Sequence, residues 1–165
     1  MTKSNIISKE LENAICIEKL NIEISHELVK LLNNDIQLQN SLGSSQNLIT
    51  IEEFIDYNCN WCKTRNAEIF GILLNELPIG MISLSHQNLD EHKAQIGYWI
   101  GSNYWGNSYT SLAFSKLLTY AKNKGIKYLS ATIDRKNIAS KKIWINNGAY
   151  TTLVNHKFLV YLELK

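Results

Sequence analysis

Read as a pattern of apolar and polar positions, the chain changes period several times. Ala14 to Ile24 (AICIEKLNIEI) alternates apolar and polar residues, the spacing of a half-buried strand. Ser25 is then expected to cap a helix with Leu28, Leu31 and Leu32 on one face, ending near Asn33-Asn34. Asn40 to Asn47, with Gly43-Ser44-Ser45 inside it, reads as a polar loop. Thr50 is the next helix cap, with Glu53 in the capping-box position. The helix it opens, over Ile51 to Asn66, aligns Ile51, Phe54, Ile55, Asn58 and Trp61 along one side.

From Glu68 the pattern becomes that of strands. Ile69–Leu74 and Ile79–Ser85 flank the turn Asn75-Glu76-Leu77-Pro78, and Ala94–Ile100 follows the polar turn Asn88 to Lys93. A helical pattern runs from about Ser108 to Lys124 and stops at Gly125. Tyr128–Asp134 is the next strand, expected to lie parallel to Ala94–Ile100 because a helix connects them. Asn137 opens a short helix that ends at Asn147-Gly148, and Tyr150–Val154 and Lys157–Leu164 close the chain as a hairpin about Asn155-His156. The fold class is α+β: a single domain over residues 1–165 with one mixed sheet and helices on both faces.

Composition narrows the function classes. Apolar residues at 45% and charged residues at 19% suit a globular protein with its own core. A balance of 17 basic against 15 acidic residues is too even to point to nucleic acid or a membrane surface. No apolar run approaches a spanning helix and the first residues do not resemble a signal peptide, so the expected location is cytoplasmic. Cys59-Asn60-Trp61-Cys62 has C-x-x-C spacing, but it lies within a helical pattern and no second pair completes a metal site. It reads as coincidence, and no metal is expected.

The chemistry concentrates between Gln95 and Gly148. A strand, the tight turn Tyr104-Trp105-Gly106-Asn107-Ser108 and a helix follow one another directly. That order creates an anion site, because free main-chain N–H groups and the helix dipole converge there.

Ile96-Gly97-Tyr98-Trp99-Ile100, Tyr104-Trp105-Gly106, Asn137-x-x-Ser140 and Gly148 together resemble the GCN5-related N-acetyltransferases, and within them the RimJ/RimL-like branch. The resemblance implies a largely antiparallel sheet splayed between two central parallel strands, in α/β/α layers. It implies acetyl-coenzyme A as co-substrate, its diphosphate held by Trp105, Gly106, Asn107, Ser108, Tyr109 and Thr110. The pantetheine arm would enter between the splayed strands beside Tyr98, Trp99 and Ile100, with Asn137 on that arm and Ser140 at the sulfur. The acceptor is an amine: a protein N-terminal α-amine in that branch, or a small amine such as a polyamine or aminoglycoside. A homodimer is a further expectation.

Several positions depart from the family pattern. Trp105 replaces a basic or amide residue, while Ser108 and Thr110 replace small residues of the turn. Trp144 stands where many members carry an acidic tyrosine, and the closing hairpin is too short for the loop that carries a glutamate in RimL-like proteins. Acetyl transfer to an amine needs positioning, a polarised carbonyl and the removal of one proton. Glu91 and His92, with Asp90 beside them, are the candidate proton acceptors ahead of the splayed strand, and His156 and His86 are others. Transfer is expected to be direct, in a ternary complex, since no cysteine lies in the motif half. The alternative is a non-catalytic module of the same fold that binds coenzyme A or a protein partner.

Overall fold

The computed structural model describes residues 2–43 and 48–165. Its elements are α1 (Lys3–Ala14), β1 (Ile15–Lys19), α2 (Ile22–Asn34), α3 (Ile36–Ser41), α4 (Ile51–Thr64), β2 (Glu68–Leu74), β3 (Leu77–Asn88), β4 (Lys93–Ile100), α5 (Tyr109–Asn123), β5 (Tyr128–Asp134), α6 (Ile138–Asn146), β6 (Tyr150–Val154) and β7 (Lys157–Glu163). The strands form one seven-stranded sheet in the order β1-β2-β3-β4-β5-β7-β6. Every pairing is antiparallel except that of β4 with β5. The α+β class, the mixed sheet and the parallel central pair all agree with the sequence reading.

Alternation along each strand sends successive side chains to opposite faces. On one face Phe70, Ile72, Ile82, Leu84 and Ile96 pack against Ala113, Phe114 and Leu117 of α5 and Trp144 of α6. On the other, Leu73, Met81 and Trp99 meet Ile24, Leu28 and Val29 of α2 and Phe54 of α4. Phe114 and Trp144 are both fully buried, with ring centroids 5.1 Å apart in an edge-on arrangement. Truncating a buried aromatic of this kind costs about 3–5 kcal/mol.

The N-terminal third departs from expectation. Ala14 to Ile24 is not one strand: β1 takes only Ile15–Lys19, and α2 already begins at Ile22. Asn21, not Ser25, is the cap, because its Oδ1 accepts from Ile24 N at 2.9 Å. Ser25 lies inside the helix and donates its hydroxyl back to the Asn21 carbonyl at 2.7 Å. The alternation of Ile22 and Ile24 imitated a strand, whereas Ile24 and Leu28 are the buried i, i+4 pair of a helix face. The helices α1 and α3 went unrecognised, and Ser44-Ser45 of the expected loop lie outside the described residues. Thr50 and Glu53 do form the reciprocal capping box of α4.

Cys59 and Cys62 are free thiols on α4. Burial pushes the Cys62 thiol up, which disfavours the reactive thiolate. Among the described residues no cluster of His, Cys, Asp or Glu is placed to hold a metal, and no helix is long and apolar enough to cross a membrane.

Candidate active site

The central feature is a gap between the two parallel strands. β4 and β5 pair only at Lys93↔Tyr128, Ala94↔Leu129 and Gln95↔Ser130. Beyond Gln95 they diverge. β4 stays paired to β3 as far as Gly80↔Ile100, and β5 stays paired to β7 as far as Asp134↔Lys157. The edge of Ile96–Ile100 that faces β5 therefore carries main-chain polar groups without a ladder partner, an open edge that an extended ligand can join. Glycine is required at position 80, where a Cβ would lie 2.3 Å from the Trp99 carbonyl oxygen.

At the open end of β4 the chain makes a short 3-10 turn, Ser102–Tyr104, and then the tight turn into α5. Its geometry is fixed by hydrogen bonds from side chains. Trp105 Nε1 donates to the carbonyl of Ile100 at 2.9 Å, and Asn107 Nδ2 donates to the carbonyls of Tyr104 and Trp105 at 3.2 and 3.1 Å. Gly106 and Ser108 both adopt left-handed backbone, with φ of 76° and 65°. The Ser108 side chain makes no capping hydrogen bond. Among the described residues, no group accepts from the main-chain N–H of residues 106–111. Successive free N–H groups in such a turn, at the positive end of a helix of 15 residues, form an anion cradle. Trp105 therefore braces the turn through its indole N–H instead of presenting a polar side chain, and Thr110 and Tyr109 are half-buried at the start of α5.

Asp35 anchors the same turn from the other side of the molecule. Its carboxylate caps α3 through Leu38 N at 3.0 Å and accepts from both the N–H and the hydroxyl of Ser102 at 2.6 Å. Burial pushes this carboxyl up, but the bonds from Ser102 and Leu38 outweigh it and leave its pKa below the usual value. No motif pointed to this contact; the only cue was an aspartate ahead of a short apolar run.

Across the gap from β4 stands the N-terminus of α6. Asn137 caps it, its Oδ1 accepting from Ser140 N at 3.1 Å. Ser140 is buried, and its Oγ lies 2.6 Å from the Tyr98 hydroxyl on β4. The Tyr98 ring stands edge-on to Phe114, at 6.1 Å between centroids. Burial raises the Tyr98 pKa despite the hydroxyl of Ser140 and the indole N–H of Trp144 facing its oxygen. The Trp144 Nε1 proton falls short of a hydrogen bond and has no partner.

Residues expected from sequence thus divide into two groups. Tyr98, Trp99 and Ile100, the turn 105–110, Asn137 and Ser140 all border the open part of the gap or its mouth. Glu91 and His92 do not. His92 Nδ1 is hydrogen-bonded to the Gly125 carbonyl at 2.9 Å, beyond the C-terminal end of α5, and its own carbonyl accepts from Lys127 and Tyr128. Glu91 pairs with Lys93 at 2.7 Å in the same exposed turn. From His92 to Tyr98 the chain runs about 20 Å along extended strand, so neither group reaches Ser140. Both lie at the paired end of β4 and β5, apart from the Tyr98–Ser140 contact. His156 lies in the β6–β7 turn, beside the Asp134↔Lys157 pair and so at the open end.

The Trp99 side chain faces away from Ser140, into a second cavity of about 370 Å³. Phe54, Tyr57, Asn58, Met81 and Gln39 are among its other walls, and among the described residues no carboxylate lines it. The apolar side of α4 was legible as a helix face, but nothing marked it as the wall of a cavity.

The acetyltransferase (GNAT) domain family matches residues 16–149. The Bacillus subtilis (strain 168) protein YdaF, whose name describes a ribosomal N-acetyltransferase, is 41% identical over 51 residues. That stretch spans 31% of this chain and only 28% of the relative's length. Among solved structures, the microcin C7 self-immunity acetyltransferase MccE, in complex with acetyl-CoA and AMP, superimposes with a TM-score of 0.75 at 18% identity, over 92% of this chain and 93% of its own. The ribosomal L7/L12 alpha-N-protein acetyltransferase RimL, in complex with coenzyme A, gives a TM-score of 0.72 at 16% identity, over 93% and 96% of the two chains. The likeness of these structures is one of fold, and the family match covers most of the chain: this protein belongs to the acetyltransferase (GNAT) domain family.

Proposed function

We propose that the chain transfers an acetyl group from acetyl-coenzyme A to a primary amine by direct attack in a ternary complex. The observation that carries this reading is the junction of two features. The free N–H groups of residues 106–111 stand at the head of α5, which follows the open end of the gap that begins beyond Gln95↔Ser130. A ligand with a diphosphate and a long polar arm fits both, the diphosphate on the cradle and the arm along the open edge of β4. The thioester then lies near Tyr98 and Ser140. When bound, acetyl-coenzyme A supplies an already activated acyl group. The protein's part is to orient it, to polarise its carbonyl with a β4 main-chain N–H, and to admit the amine.

The amine enters from the Trp99 face. That cavity has aromatic, aliphatic and neutral polar walls, with no acidic side chain among the described residues that line it. A site built this way offers a polycation no compensating charge. The acceptor best matched is the α-amine of a protein N-terminus, as in a RimJ/RimL-like enzyme working in the cytoplasm. Proton removal runs through water to solvent or to His156 at the mouth, since Glu91 and His92 are remote. Measuring thiol release with an N-terminal peptide and with spermidine as acceptors tests this reading. Turnover on the peptide supports it, and turnover on spermidine alone contradicts the assigned acceptor class.

One observation favours a second reading, the non-catalytic coenzyme A-binding module. Ser108 holds a left-handed backbone in the middle of the cradle, where glycine would be unstrained. Binding of acetyl-coenzyme A with no turnover on any amine is the outcome that selects it.

A further inference from the structure

The Tyr98–Ser140 contact has a direction. The indole N–H of Trp144 is fully buried and, among the described residues, has no hydrogen-bond partner, so it takes no part in the contact. Either hydroxyl could give its proton across the 2.6 Å contact, but a phenol is the stronger acid and an aliphatic hydroxyl the better acceptor, so the stronger bond has Tyr98 donating to Ser140 Oγ. Serine inside a helix often returns its proton to a carbonyl four residues earlier. Here that carbonyl, of Lys136, accepts from Ile138 N at 3.0 Å, and among the described residues Ser140 Oγ has no partner besides Tyr98. The Ser140 proton is then left for whatever occupies the gap.

We propose that Tyr98 is a positioning residue: by donating to Ser140 Oγ it aims the Ser140 hydroxyl at the cofactor sulfur, and the stacked pair stabilises the departing thiolate. This rests on the reading of the β4–β5 gap as the coenzyme A cleft. The amine nitrogen attacks the thioester carbonyl carbon, the C–N bond forms, the C–S bond breaks, and its electron pair goes to sulfur. The proton lost by the amine goes to water. The thiolate accepts the Ser140 hydrogen bond and takes a proton from solvent on release, so neither hydroxyl is consumed. Trp144, standing where many family members carry a tyrosine, offers no hydroxyl to the sulfur.

The test follows the thiolate of bound coenzyme A by its ultraviolet absorbance against pH, which needs no acceptor and no turnover. A donor to the charged form lowers a thiol pKa. Wild-type protein should therefore hold more thiolate at a given pH than free coenzyme A. Tyr98→Phe keeps the ring against Phe114 and removes only the hydroxyl. It should cut the bound thiolate-to-thiol ratio about tenfold, the scale of one charge-assisted hydrogen bond. Ser140→Ala should do at least as much, and adding Tyr98→Phe to it should change nothing further. Coenzyme A bound normally with an unchanged thiolate ratio in Tyr98→Phe overturns the proposal and leaves the cleft intact. A loss that multiplies in the double variant overturns it too, since Tyr98 would then act without Ser140. Absence of coenzyme A binding to the wild-type protein removes the cleft and the proposal together.

Discussion

The carboxylate of Asp35, at the head of α3, accepts hydrogen bonds at 2.6 Å from both the N–H and the hydroxyl of Ser102. Two segments 67 residues apart are thereby joined just ahead of the anion cradle. This contact sets the position of the turn without touching its N–H groups. Asp35→Ala should weaken acetyl-coenzyme A binding about fivefold and lower stability by ~1–2 kcal/mol, read by calorimetric titration and a thermal melt. The pH sign follows from its pKa, which is lowered in the folded state. Its stabilisation is complete above the unfolded value and disappears as pH falls through the folded one. The gap between wild type and Asp35→Asn in a melt should therefore narrow under acid conditions.

Ser108 tests the cradle from within. A side-chain-bearing residue in left-handed backbone costs about 1–2 kcal/mol relative to glycine, and here the hydroxyl returns no capping bond. Ser108→Gly should raise the melting temperature by about 2–8 °C. It should also tighten acetyl-coenzyme A binding, because the main chain can then approach the diphosphate more closely. An unchanged melting temperature would show that the turn carries no such strain.

Trp105→Phe keeps an aromatic ring and deletes the bond to the Ile100 carbonyl. It should raise the dissociation constant of acetyl-coenzyme A about threefold to tenfold while leaving the melt nearly unchanged. Equal binding by the variant would mean that Asn107 and Asp35 hold the turn without it.

Glu68 carries a separate prediction about stability. Burial pushes its carboxyl up, but bonds from Lys124, Tyr120, Gln87 and Lys19 prevail and hold it at about 2. Its partner Tyr120 is pushed up to about 12, chiefly by donating to that carboxylate. The two groups bound a pH window. The Glu68 contribution is complete above its unfolded value of 4.5 and is lost toward 2. That of Tyr120 is complete below its unfolded value of 10.0 and is lost toward 12. Chemical denaturation of Glu68→Gln across this range should show its largest deficit between those limits, and a deficit that grows in acid would contradict the account.

What was legible in the sequence was mostly local. The Thr50–Glu53 box, the Asn75 turn, the stop at Gly125 and the Asn137 cap are short-range hydrogen-bond devices, and each stands where its residues indicate. The alternating strands from Glu68 onward were readable for the same reason. The Ala14–Ile24 segment misled because the three residues Ile22-Glu23-Ile24 fit either period, and only the Asn21 cap just ahead of them decides the matter. The site divided in the same way. Family spacing brought Ser140 and Tyr98 to one place, but their bond, the Trp105 brace and the Asp35 anchor depend on side-chain direction across distant elements. Glu91 and His92 were close to β4 in sequence, yet a strand carries its two ends far apart.

The central claim is that the head of α5 and the split between β4 and β5 form one cleft for a diphosphate with a pantetheine arm. Calorimetric titration with acetyl-coenzyme A, with desulfo-coenzyme A and ATP as controls, tests it most directly. Binding in the micromolar range is expected for both coenzyme A forms, and far weaker binding for ATP, which lacks the arm. Equal affinity for ATP, or no binding of either coenzyme A form at millimolar ligand, would contradict it.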